Sequence, residues 1–199
     1  RQMCIRDRFN LLYRKLPNSL SMSLYIFFQT LYHFYRRPKM FTEISALIAQ
    51  QLTDNKATVS VAESSTGGLI SANLLAIPGA SRFFVGGSVI YTHKSRRTFL
   101  SIDREKLKLL EPLSEDMVQQ FAHAARRSLD TTWGVAELGA TGPTGTPYGH
   151  GPGVSVIGVS GPVNATLKVE TNSEDRQQNM MAFTEAALEL FAETLGRVL

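Results

Sequence analysis

The sequence predicts an α/β protein, a three-layer α/β/α sandwich with a mixed β-sheet, formed as a single domain by residues 40–199. Helix-like and strand-like periodicities alternate through most of this stretch. Two further strands are joined by Gly161-Pro162-Val163 as a hairpin, which supplies antiparallel pairing. A long amphipathic segment follows. Alternating elements closed by a hairpin describe a mixed sheet covered by helices.

The elements follow in order. Residues 41–52 place Phe41, Ile44, Leu47, Ile48 and Leu52 near helical spacing, and 53–56 form a turn. Residues 58–62 read as a buried strand. A helix is expected over 66–76, ended by Pro78-Gly79. The second strand spans 85–91, where Gly86 and Gly87 mark a bulge or a close backbone approach. A short helix spans 94–100. Ser114 opens a longer one, with Glu115 and Asp116 in the first turn, where negative charge suits the helix dipole. Its apolar face carries Val118, Phe121, Ala122, Ala125 and Leu129. The third strand covers 132–138, a Gly/Pro loop covers 139–153, and strands at 154–160 and 165–170 form the hairpin. A final helix over 174–198 carries Met181, Leu188, Phe191 and Leu195. No internal repeat is present.

Composition narrows the function. Hydrophobic content of 43% with 19% charged residues fits a soluble globular protein. The net charge of +4 is unevenly placed. Residues 1–39 hold eight Lys/Arg against the single acid Asp7, whereas residues 40–199 hold thirteen Lys/Arg against sixteen acids. The folded body is therefore mildly acidic, and bulk charge gives no reason to expect nucleic-acid binding. The one cysteine, Cys4, lies outside that body, so no disulfide is expected there. His33, His93, His123 and His150 are scattered singly, no zinc spacing occurs and HExxH is absent. Neither a metal nor a cofactor is expected.

Residues 1–39 lack glycine and mix aromatic with basic side chains. The apolar run 23–32 is shorter than the ~20 residues a membrane span needs. Two readings compete: a basic arm lying on a membrane surface, or sequence upstream of a natural start at Met40. The second is the expectation, with no membrane association and a cytoplasmic location.

The functional signal lies in two loops. Ala62-Glu63-Ser64-Ser65-Thr66-Gly67-Gly68 stands where a strand turns into a helix. The first N–H groups of a helix lack partners and face the positive end of its dipole, so an anion or a developing oxyanion can sit there. Hydroxyls at the same spot can bind that group or attack it. The second loop, 139–153, has six glycines and three prolines. Glycine lets backbone amides approach a ligand, and proline holds the loop stiff. Both loops leave the carboxyl end of a strand, where open α/β sheets bind ligands, and they are expected to share one crevice. The motifs GxxxxGKS/T, GxGxxG and GxSxG are absent.

These residues resemble the C-terminal domain of the CinA family, the nicotinamide-nucleotide amidases also called competence/damage-inducible proteins. The resemblance runs from about Phe41 to the C-terminus. Ala62 to Gly68 is similar to the family's AESCTGG, and Pro78-Gly79-Ala80-Ser81 to its PGSS. Gly86 to Tyr91 is similar to its GG-x-V-x-Y, Gly139 to Gly145 to its GIAGPxG, and Asp175-Arg176 to its GDR. The resemblance implies an α/β/α fold, a homo-oligomer, and hydrolysis of the carboxamide of nicotinamide mononucleotide. It implies Ser64 as nucleophile, Tyr91 and Ser81 as polar site residues, and Arg176 as an arginine suited to the substrate phosphate. Arg96 stands at the family's catalytic lysine. Ser65, Thr66, Gly67 and Gly68 are expected to line the site with Gly139 and Gly142, and amides after Ser65 to hold the oxyanion.

Three departures from the family stand out. Ser65 replaces its cysteine, Leu138 replaces a Ser/Thr, and Arg96 replaces the lysine. A buried lysine can serve as a base, whereas arginine, with a pKa above ~12, stays protonated. Lys94 is one candidate substitute. Glu63 and Glu137, each expected at a strand end beside a crevice loop, are others. The resulting readings are a pyridine-mononucleotide amidohydrolase, a nucleotide-binding or regulatory module without catalysis, and a subunit that acts by oligomerising.

Overall fold

The computed structural model describes residues 41–102 and 104–198. The expectations for residues 1–39 and for Met40 lie outside them. The helices are α1 (Thr42–Asp54), α2 (Leu69–Leu75), α3 (His93–Leu100), α4 (Arg104–Lys108), α5 (Glu115–Ser128) and α6 (Arg176–Gly196). The strands are β1 (Val59–Glu63), β2 (Phe84–Val89), β3 (Trp133–Ala140), β4 (Val154–Ser160) and β5 (Ala165–Glu170). They form one sheet in the order β2-β1-β3-β4-β5. β1 runs parallel to both neighbours, and β4 is antiparallel to β3 and β5. This is the mixed α/β sheet the sequence predicts.

Side chains alternate across each strand, so one strand feeds two cores. Val59, Val61, Trp133, Val135 and Ile157 face α1, α2 and α6, where Ile48, Leu52, Leu74 and Leu188 pack. Ala62, Ala136, Leu138 and Val156 face α5 through Val118, Phe121, Ala122 and Ala125. Ser114 caps α5, its hydroxyl accepting the Met117 N–H at 3.1 Å, and Glu115 and Asp116 follow in the first turn. Trp133 is fully buried and meets Phe191 edge-on at 6.0 Å.

Some boundaries differ from expectation. β2 ends at Val89, which leaves Tyr91 beyond the strand. Its pairing with β1 skips Val85, a bulge of the kind Gly86-Gly87 signalled. α4 has too few apolar residues at helical spacing to be read from sequence. β3 continues past Leu138 to Ala140, because β4 pairs with it as far as Val154. Glu137 therefore lies inside a strand, not at its end.

Phe191→Ala is expected to remove the edge contact and cost about 3–5 kcal/mol. Urea unfolding followed by the emission of Trp133, the sole tryptophan, measures this. An unchanged midpoint would contradict the packing.

Candidate functional site

The chain leaves β1 at Glu63 and turns through Ser64–Gly68. Gly67 and Gly68 have φ of 66° and 104°, a region that favours glycine. This delays the start of α2 to Leu69, three residues later than its periodicity suggested.

The turn is folded over two carboxylates. Glu63 and Glu137 are register partners on β1 and β3, and both are fully buried. Glu137 Oε2 accepts the N–H groups of Ser64 (3.1 Å) and Thr66 (3.0 Å). Its Oε1 accepts the hydroxyls of Ser65 and Ser155, the latter at 3.0 Å. Glu63 accepts the N–H groups of Ile70 and Ser71, each at 3.0 Å, and the Ser71 hydroxyl at 2.6 Å. The Thr66 hydroxyl lies 2.8 Å from Glu63 Oε2 and 3.1 Å from Glu137 Oε2, so one hydrogen stands between two carboxylate oxygens. Among the described residues neither glutamate has an ion-pair partner; the salt bridges are exposed pairs elsewhere. Burial pushes the Glu137 pKa above its ordinary value, and the bonds from Ser65, Thr66 and Ser155 only partly offset this.

This arrangement corrects one expectation. The amides at the start of α2 are not open to a ligand, because Glu63 caps them, and Glu137 takes the Thr66 amide. Among the described residues, the N–H groups of Gly67 and Gly68 and the Ser64 hydroxyl make no hydrogen bond.

The two glycine-bordered loops do meet. The Ser64 N–H also donates to the Glu137 main-chain oxygen at 3.1 Å. A Cβ on Gly139 would lie 2.5 Å from Ser65 Oγ and 2.8 Å from Glu137 Oε1, so only glycine fits between them. Arg176, the first residue of α6, donates to the Gly142 carbonyl (2.8 Å) and to the Tyr91 hydroxyl (3.3 Å). Asn179 donates to the carbonyls of Thr141 (2.9 Å) and Ser173 (2.8 Å) from a fully buried position. Ser64, Ser65, Thr66, Gly67, Gly68, Tyr91, Gly139, Gly142 and Arg176 are thus gathered at the carboxyl edge of β1, β2 and β3.

Arg96 lies beside this group. Its Nε donates to the Ile90 carbonyl at 3.2 Å, and its guanidinium sits 5.4 Å over the Phe121 ring. Burial lowers its pKa, with the charges of Tyr148 and Glu137 opposing that shift. Lys94 is exposed. It stands two positions from Arg96 on α3, a turn of roughly 200° on a helix, and does not replace the lysine. Ser81 is also apart: it is exposed in the turn before β2, at the amino end of the strand. Within the chain it is not brought to the other candidates.

Ser71 and Ser155 belong to the carboxylate cluster and were not anticipated. The available signal was a polar residue within an apolar strand, Glu137 in β3 and Ser155 in β4. Among the described residues, no group of three or more His, Cys, Asp and Glu side chains could hold a metal ion. None of the described helices is long and apolar enough to cross a membrane.

The family model described as CinA C-terminal domain matches residues 41–195. A CinA-like protein of Salinibacter ruber is 32% identical over 153 residues, covering 77% of this chain and 37% of that protein. A putative competence-damage inducible protein of Desulforamulus reducens is 34% identical over 148 residues, covering 74% of this chain and 36% of that protein. The chain thus spans little more than a third of the length of these relatives. The crystal structure of competence damage-inducible protein A of Klebsiella pneumoniae superposes with a TM-score of 0.74 at 23% identity, covering 81% of this chain and 100% of that one.

Glu137→Gln tests the buried acid. The amide oxygen can keep the two N–H donors, and the Ser65 and Ser155 hydroxyls can rotate to accept from its NH2. A carboxyl whose folded pKa is raised stabilises the fold below the unfolded value and loses that contribution as pH rises through the folded value. Wild-type unfolding free energy is therefore expected to fall relative to Glu137→Gln as pH climbs above the ordinary glutamate pKa. Urea titrations across pH measure this, and parallel curves would contradict it.

Proposed function

The chain belongs to the CinA C-terminal domain family, and from that premise we propose that it is an amidohydrolase acting on the carboxamide of a pyridine mononucleotide. The reaction converts nicotinamide mononucleotide and water to nicotinate mononucleotide and ammonia. The observation that carries this reading is the meeting of the Ser64–Gly68 turn, the Gly139–Gly142 segment and Arg176 at one edge of the sheet. The domain concerned is residues 40–199, working as a cytoplasmic homo-oligomer.

The chemistry needs a hydroxyl, a proton acceptor and donors for an oxyanion. Ser64 matches the family's nucleophile, and Ser65 is the serine of the turn whose hydroxyl donates to a carboxylate, that of Glu137. The attacking Oγ forms a bond to the amide carbon while its proton passes to Glu137, directly from Ser65 or through Ser65 from Ser64. Glu137 then returns the proton to the leaving nitrogen as the C–N bond breaks, releasing ammonia. Water cleaves the resulting ester by the reverse proton path. The uncommitted amides of Gly67 and Gly68 supply the oxyanion donors, and Arg176 faces the phosphate. A base with a raised pKa suits this task, because it is more basic than an ordinary carboxylate.

A second reading rests on Arg96. A permanent cation at the family's lysine position removes that base and suits a module that binds a nucleotide without hydrolysing it.

Ammonia release from nicotinamide mononucleotide separates the two. The amidase reading expects turnover that Glu137→Gln lowers by at least about a hundredfold, the usual contribution of a general base. It also expects an acid limb in the kcat/KM profile displaced above the ordinary carboxylate pKa. Ser64→Ala and Ser65→Ala identify the attacking hydroxyl. Binding without turnover in the wild type favours the second reading.

A further inference from the structure

The hydrogens around the two buried glutamates are unevenly shared. Glu63 Oε1 accepts the Ser71 N–H and the Ser71 hydroxyl. Its Oε2 accepts the Ile70 N–H and faces the Thr66 hydroxyl at 2.8 Å. With the Thr66 hydrogen, each oxygen of Glu63 receives two donors, which suits a full negative charge. Glu137 is served less well. Thr66 Oγ1 lies 3.1 Å from its Oε2, but that hydroxyl has one hydrogen and its contact with Glu63 is the shorter. The Ser155 hydroxyl lies 3.0 Å from Glu137 Oε1 and 3.2 Å from the Leu138 carbonyl, again one hydrogen before two acceptors.

One added proton on Glu137 Oε1 removes the second competition. The acid donates to Ser155 Oγ, and Ser155 donates to Leu138. Ser155 is fully buried, and both partners are at hand whichever way its hydrogen points. The charged groups that bear on Glu137 are Glu63, its register partner on β1, and the Arg96 guanidinium of α3. Arg176, at the head of α6, is turned to Gly142 and Tyr91. The turn, α2 and β4 bring only amides and hydroxyls to the pair. α5 packs on the other face, against Ala136 and Leu138.

We propose that Glu63 and Glu137 hold their protons as one unit: Glu63 stays the anion, the first proton taken up from solvent rests on Glu137 Oε1, and the Ser155 hydroxyl turns to accept it. Burial of Glu137 acts in the same direction. Glu63, Thr66 and Ser155 are then positioning residues that act through Glu137. The catalytic consequence rests on the amidase reading. When the Ser65 proton passes to Glu137 Oε1, Ser155 swings from the carboxylate to Leu138, so the new acid meets an acceptor at once. The standing charge on Glu63 keeps Glu137 basic.

Carboxyl-carbon NMR of the full chain, with each glutamate resonance correlated to its own backbone amide, tests this without substrate and without a variant. As pH falls, Glu137 is expected to protonate first, with Glu63 still ionised where Glu137 is neutral. Ser155→Ala removes a donor that the charged form binds more strongly than the neutral form, and should move the Glu137 step to higher pH. Glu63→Gln removes a like charge and should move it to lower pH. On the acid limb of kcat/KM for ammonia release, the Ser155 variant should be roughly tenfold slower, with a smaller change on the plateau. A purely structural role would lower the plateau and leave the limb in place. Glu63 protonating first, both titrating together in the ordinary glutamate range, or an unmoved Glu137 step in folded Ser155→Ala protein would overturn the proposal. Thermal melts establish folding, and the wild-type order decides if that variant does not fold. Ordered protonation without ammonia release rejects the amidase reading alone, and ammonia release with the reverse order rejects this proposal alone.

Discussion

Two buried carboxylates, neither held in a salt bridge among the described residues, are the constraint around which the site is built. An isolated buried carboxylate is strongly disfavoured unless it is protonated or well supplied with donors. Here the supply comes from the chain itself: the amides of Ser64 and Thr66 in the turn and of Ile70 and Ser71 in α2, the hydroxyls of Ser65, Thr66 and Ser71, and the Ser155 hydroxyl from β4. The run of small hydroxyl residues after Glu63 thus has an internal duty before any external one. The same duty explains why Gly139 is bare, since a side chain there would displace the Ser65 hydroxyl or the Glu137 carboxylate.

Much of the fold is legible because its signals are local and repeated. The short apolar run of β4, bounded by Gly153 and Gly161, and the Ser114 cap with its acidic first turn each announce an element without help from the rest of the chain. Less legible are features set by partners distant in sequence. β3 extends through Gly139 because β4 pairs with it, and α2 starts late because two left-handed glycines delay it. Ser81 carries a family motif yet sits at the far end of β2, because a strand's amino and carboxyl ends are separated by its length.

The site divides in the same way. The convergence of the two glycine-bordered loops could be reasoned from the rule that ligands gather at strand carboxyl ends. The pairing of Glu63 with Glu137 could not, because it depends on the register of β1 against β3. Nor does sequence reveal that α3 turns Arg96 onto Phe121 while leaving Lys94 exposed. The substitution of arginine for lysine reads in sequence as the loss of a base. In three dimensions it is also the gain of an oriented, half-buried cation over the Phe121 ring.

Arg176 spans from the head of the last helix to the Gly142 carbonyl and the Tyr91 hydroxyl, so a single guanidinium fastens two loops that come from different strands. An incoming anion that claims this side chain competes with both fastenings. Ligand occupancy and loop freedom therefore trade against each other through one residue, and hydrogen exchange in either loop would register an event at the other.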